Sequence, residues 1–163
     1  QGEVRAALKS YKKALLHMAS LRSASNGEAG LADALGKGPT KLTDAETQQV
    51  RSLASTVLLN IVACYLKLQD GAKALKYAQQ AATEGAAPPD KTALRLGQAY
   101  LLKGDLYNAE EVLKKAAEEH TAGPVAVAIR KALATARSRS KNARAAFGAK
   151  LSAAFASAAS GGT

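Results

Sequence analysis

Leu94-Arg-Leu-Gly-Gln-Ala-Tyr-Leu-Leu-Lys-Gly-Asp-Leu-Tyr-Asn-Ala-Glu-Glu-Val-Leu-Lys-Lys-Ala116 is the stretch on which the fold turns. At the helical period it places Leu96, Gly97 and Tyr100 on one side of a first helix. Gly104-Asp105 breaks the period and supplies a turn. Beyond the turn, Leu106, Ala109, Leu113 and Ala116 form the inner stripe of a second helix. Gly97 and Ala109 are small enough for the two helices to approach closely, and Leu96, Tyr100, Leu106 and Leu113 fill the space around them. A single hairpin would carry no repeat meaning, but the same frame fits 35 residues upstream. There Ile61, Val62 and Tyr65 stand for Leu96, Gly97 and Tyr100, and Ala74, Ala78 and Ala81 for Ala109, Leu113 and Ala116. It fits again at the N-terminus, where Gly2, Val4, Ala7, Tyr11 and Ala14 stand for Gly104, Leu106, Ala109, Leu113 and Ala116. That copy has only its second helix; the first is expected before residue 1, with the chain read as a piece of a longer protein.

Composition agrees with an all-α fold. Of 163 residues 38 are alanine, only seven are aromatic and none is tryptophan, a balance that favours helix over sheet. Working outward from the repeat, residues 2–22 are expected to be the second helix of a first unit, and 23–43 a flexible insertion rich in glycine. A second unit with an overlong first helix is expected over 44–83 and a third over 90–119. A basic capping helix over 124–156 and a frayed tail over 157–163 complete the chain. Asp44 and Asp90 are expected to cap the first helices of the two units, and Pro124 to open the last helix. Val127, Ala128, Leu133 and Ala134 are expected to pack that helix on the stack.

The recurring frame resembles the tetratricopeptide repeat, a helix–turn–helix unit of about 34 residues that stacks into a solenoid. The overlong helix with Leu59-Asn-Ile-Val-Ala-Cys-Tyr-Leu-Lys-Leu-Gln69, the insertion before it and the basic helix with Lys141-Asn-Ala-Arg-Ala-Ala-Phe147 narrow this further. Together they resemble the repeat domain of the large FKBP-type and cyclophilin-type immunophilins, which are co-chaperones. Val62, where the repeat prefers a small residue, and Gly71, where it prefers a larger apolar one, depart from the pattern. The resemblance implies a cytoplasmic adaptor whose concave groove clamps the C-terminal peptide of a heat-shock chaperone, ending Glu-Glu-Val-Asp. Carried over position by position, it places Asn60 at the clamp's amide, Lys91 and Arg95 at the two cationic positions of the third unit, and Lys67 at a groove-lining lysine. Two further clamp residues belong to the first helix of the first unit. The plainer reading of Asn60 is a buried amide satisfied nearby, and that of Lys91 and Arg95 an exposed helix face. A structural scaffold subunit within a large assembly is the alternative reading of the whole chain.

Charge points to acidic partners. The chain carries 23 basic and 13 acidic residues, a net charge of +10. From His120 onward there are seven basic residues and no acid. Arg130, Lys131, Arg137, Arg139, Lys141 and Arg144 therefore make a candidate docking helix for calmodulin or another acidic protein surface, as well as an ordinary solvated face. Nucleic-acid binding would want aromatic residues interleaved with these cations, and only Phe147 and Phe155 occur there. One cysteine, Cys64, and two distant histidines, His17 and His120, do not make a metal site. No cofactor, catalytic group or membrane partner is expected: no glycine-rich phosphate loop follows a strand, and no apolar run reaches the ~20 residues of a bilayer span.

Overall fold

Capping chemistry sets where the helices begin and end. The computed structural model describes residues 2–25 and 42–160. These form α1 (Gly2–Ser25), α2 (Asp44–Lys67), α3 (Gly71–Glu84), α4 (Pro89–Lys103), α5 (Leu106–Glu119) and α6 (Gly123–Ser160), with no strand among the described residues. Thr43, not Asp44, caps α2. Its hydroxyl accepts from the Glu46 N–H at 3.3 Å, and the Glu46 carboxylate accepts from the Thr43 N–H at 2.8 Å. Thr43 wins because Glu46 stands three residues on, where a reciprocal box can close. Asp90 likewise lies inside α4, which opens on Pro89. Proline is preorganised for that first position and has no N–H to satisfy.

The turns at the ends of α2 and α4 share one hydrogen-bond pattern, displaced by 35 residues. Asp70 N–H donates to Tyr65 O and Asp105 N–H to Tyr100 O, both at 3.0 Å. Gln69 (φ 58°) and Gly104 (φ 87°) both adopt the left-handed conformation. Asp70 and Asp105 then cap α3 and α5 by accepting from the Lys73 and Asn108 N–H groups at 3.0 and 3.2 Å. The Lys73 ammonium, and then the Lys73 N–H, hold the Asp70 carboxyl below its usual range; the Asn108 amide and N–H do the same for Asp105.

Each helix packs on the next in sequence, and α2 also meets α4, as α4 meets α6. One core cluster joins Ile61, Val62 and Tyr65 of α2 to Ala74, Leu75 and Ala78 of α3 and Ala99 of α4. A second joins Leu94 and Leu101 to Ala109, Leu113 and Ala116 of α5 and to Ile129, Leu133 and Ala136 of α6. Ala74, Ala78 and Ala81 of α3 and Ala109, Leu113 and Ala116 of α5 are buried as expected, whereas Leu106, the first residue of that α5 stripe, is half-buried. A Cβ at Gly97 would collide with the Leu113 side chain, so the glycine is what lets α4 and α5 close. At Gly71 a Cβ would lie 2.9 Å from Lys103 N and 3.1 Å from Leu102 C. The start of α3 sits against the backbone end of α4, which is why this position holds no larger residue. α1 is held by side chains: Lys12 Nζ lies 5.5 and 5.9 Å from the centroids of the stacked Tyr65 and Tyr77 rings, and Arg22 pairs with Glu84 at 3.0 Å. Hydrogen bonding to Tyr65 raises the Lys12 pKa, and the ammonium over both rings is a cation–π contact.

Three boundaries and one face differ from expectation. Ser23, Ala24 and Ser25 continue α1 and do not belong to the insertion, of which 26–41 lie outside the described residues. α6 runs over 123–160, longer than 124–156, so 157–160 are helical and not frayed; 161–163 lie outside the described residues. The inward face of α6 is Ala126, Ile129, Leu133 and Ala136. Of the four residues expected there only Leu133 is buried; Ala128 is half-buried, Ala134 exposed and Val127 58% exposed. The helix is turned by about one residue, which seats Ile129, the largest apolar side chain of its first two turns, in the core. α2 is, by length and composition alone, apolar enough to cross a membrane, although no uninterrupted apolar run announces it. Its apolar face is the core itself, with Leu58, Ile61 and Val62 fully buried.

Ser55 of α2 is also fully buried, and its hydroxyl has no hydrogen-bond partner. An orphaned hydroxyl costs about 1–3 kcal/mol, and alanine is the better helix former. Ser55→Ala is therefore expected to raise the melting temperature by roughly 2–5 °C; a lower melting temperature in a thermal scan would contradict this.

Candidate functional site

Asn60 stands between the buried Leu59 and Ile61 on α2, so the rotation of one residue carries it off the core face to the helix shoulder. Lys91 and Arg95 are one turn apart on α4 and share a face. Because α2 packs on α4 and α4 on α6, these shoulders meet. Asn60, Lys91 and Arg95 line one cavity of about 350 Å³, whose apolar wall is Leu59, Leu94 and Val125. A neighbouring cavity of about 290 Å³ lies between α1 and α2; Asn60 lines it as well, with Lys67, Tyr11, Cys64 and Glu3. The four sequence-predicted groove residues thus line two cavities, Asn60, Lys91 and Arg95 the first and Lys67 the second, with Asn60 common to both.

The donors are arranged for an anion. Arg95 Nη1 donates to Gln98 Oε1 at 3.0 Å, which steadies the guanidinium while leaving its other N–H groups available. The side chains of Asn60, Lys67 and Lys91 have no hydrogen-bond or ion-pair partner among the described residues. Asp90 is occupied by the Lys91 backbone N–H at 2.7 Å. The surface can take a carboxylate at Arg95 and Lys91 and an amide-bonded backbone at Asn60, with an aliphatic side chain against Leu59, Leu94 and Val125. Neither that apolar wall nor the contact of Gln98 with Arg95 is among the features expected from the sequence. Gln98 had a signal, its position three residues after Arg95; Val125 had none, since it reaches the cavity from another helix.

The six candidate docking residues of α6 divide in two. Arg139 Nη1 donates to Leu101 O at 2.8 Å, closing a carbonyl in the last turn of α4. Arg137 Nε pairs with Glu110 Oε1 at 3.3 Å, and Arg130 Nη1 donates to Thr121 O at 3.0 Å. Arg139 and Arg137 fasten α6 to the α4–α5 hairpin, and Arg130 ties it to the connector between α5 and α6. Lys131, Lys141 and Arg144 are exposed and unpaired among the described residues.

Elsewhere, a cavity of about 430 Å³ between α1, α2 and α3 is lined by Leu15, Met18, Ala54 and Tyr77, with the Arg22–Glu84 pair among its lining residues. No three His, Cys, Asp or Glu side chains come together as a metal site among the described residues. Cys64 is a buried free thiol, and the His120 N–H closes α5 by donating to Ala116 O. Compared with protein-family models, with curated proteins and with solved structures, the chain matches none.

Proposed function

We propose that the chain is a protein-interaction module of the tetratricopeptide-repeat kind, whose groove docks an acidic C-terminal peptide of a heat-shock chaperone as part of an immunophilin-like co-chaperone of the cytoplasm. The observation that carries this reading is the convergence of Asn60, Lys91 and Arg95 on one cavity from two helices. The two turns of identical hydrogen bonding, 35 residues apart, support the repeat. In this reading the peptide lies extended across the two cavities. Arg95 and Lys91 take carboxylates, Asn60 fixes the peptide backbone, Lys67 meets a further acid, and an aliphatic residue fills the wall of Leu59, Leu94 and Val125. Charge-assisted hydrogen bonds of this kind contribute about 1.5–3 kcal/mol each. The chain performs no catalysis and needs no cofactor.

A scaffold role in a larger assembly is favoured by one feature. Ala7, Tyr11 and Ala14 of α1, the equivalents of Ala109, Leu113 and Ala116 buried in α5, are only half-buried. Fluorescence anisotropy with a labelled peptide ending Glu-Glu-Val-Asp separates the two: saturable binding supports the clamp, and none at millimolar concentration supports the scaffold.

A further inference from the structure

Among residues 123–157 of α6 the last buried one is Ala136, yet the helix continues to Ser160. Every residue from Lys141 to Ser157 is exposed. At 1.5 Å per residue the twenty residues from 141 form an arm about 30 Å long. Its nine alanines keep it helical without tertiary support. Three large apolar side chains recur on it every fourth residue, Phe147, Leu151 and Phe155, exposed by 67, 45 and 68%. They form one stripe. Lys141 and Lys150 fall on opposite borders of that stripe, and Arg144 lies in line with it, one turn ahead. None of the three cations has a partner among the described residues, and no acid occurs from His120 to the end.

We infer that this arm is an in-plane binding helix for the surface of an anionic phospholipid bilayer, independent of the peptide groove. Docking in a protein groove draws on several large anchors seated in fixed pockets. Here there are three, and the positions between them are alanine, glycine, serine and lysine. A lipid interface asks for no pocket: the two phenylalanines and the leucine enter among the acyl chains, and the bordering lysines extend upward to the phosphates. Each cation near an anionic bilayer strengthens binding about fivefold. The expected absence of a membrane partner rests on the lack of a spanning segment, which an in-plane helix does not need.

The test is co-sedimentation of the full chain at low salt with vesicles of phosphatidylcholine alone and of equimolar phosphatidylcholine and phosphatidylserine. The chain is expected to partition onto the anionic vesicles and be released by salt. Replacing the stripe by Phe147→Ser, Leu151→Ser and Phe155→Ser is expected to weaken partition at least about tenfold. Lys141→Gln, Arg144→Gln and Lys150→Gln together are expected to abolish the preference for anionic lipid. Both variants should melt as the parent does, since all six positions lie beyond Ala136. Equal partition onto both vesicle types, or full binding by the serine variant, would overturn the inference. So would retention by an acidic protein such as calmodulin without vesicle binding, which would make the arm a protein-docking helix.

Discussion

If the proposed clamp holds, Arg95→Glu is expected to lower the affinity for a peptide ending Glu-Glu-Val-Asp by roughly a hundredfold or more. The substitution removes a charge-assisted contact of about 1.5–3 kcal/mol and sets a carboxylate against the peptide's own, a like-charge contact that costs several kcal/mol when partly desolvated. It also removes the guanidinium that Gln98 steadies. Lys91→Ala acts in the same direction with a smaller loss, on the order of 1–2 kcal/mol, because an exposed ammonium gives up less when truncated. Lys131→Glu, an equal change of charge on α6, leaves the affinity within about twofold. Calorimetric titration of the three variants measures all of this. An Arg95→Glu protein that binds as tightly as its parent would place the carboxylate elsewhere.

Gly97→Val is expected to cost about 3 kcal/mol of stability, or roughly 6–12 °C in melting temperature. The valine methyls enter the volume held by Leu113, which is fully buried and has no free space to rotate into. The gain in helix propensity over glycine, a few tenths of a kcal/mol, does not offset this. Leu113→Ala alone costs about 2–5 kcal/mol. The double variant is expected to be more stable than the sum of the two losses, because the valine occupies the cavity that the leucine vacates. Strict additivity of the two losses would mean that α4 and α5 do not cross at these residues.

How much of this is legible in the sequence depends on what each residue answers to. Ala74, Ala78, Ala109 and Leu113 answer to burial on one helix face, and burial writes a period that can be read directly. Gly104-Asp105 announces its turn, whereas the matching turn at Gln69-Asp70 does not, because glutamine is no turn marker even though Gln69 adopts the same left-handed backbone. The face of α6 reads one residue off: alanine fills most positions around that helix, so its pattern is shallow, and the placing of Ile129 decides it. In the groove, Asn60, Lys91 and Arg95 come from the family resemblance carried over position by position, not from the pattern alone. Leu59 and Leu94 are visible only as core residues, and Val125 belongs to a helix whose rotation the pattern does not settle. The inward arginines are hidden for a different reason. Arg139 and Arg130 donate to backbone carbonyls, Leu101 O and Thr121 O, and a carbonyl leaves no mark in the amino-acid sequence.

The central claim is that the groove of Asn60, Lys91 and Arg95 recognises the carboxylates at the end of an acidic peptide. The direct measurement is a parallel titration with two peptides ending Glu-Glu-Val-Asp, one with a free C-terminus and one amidated. The amide lacks the terminal charge and keeps every side chain. The account predicts about a tenfold or greater loss for the amidated peptide, the weight of one charge-assisted contact, and a further loss when its last aspartate becomes asparagine. Equal affinity for the free and amidated peptides would contradict it.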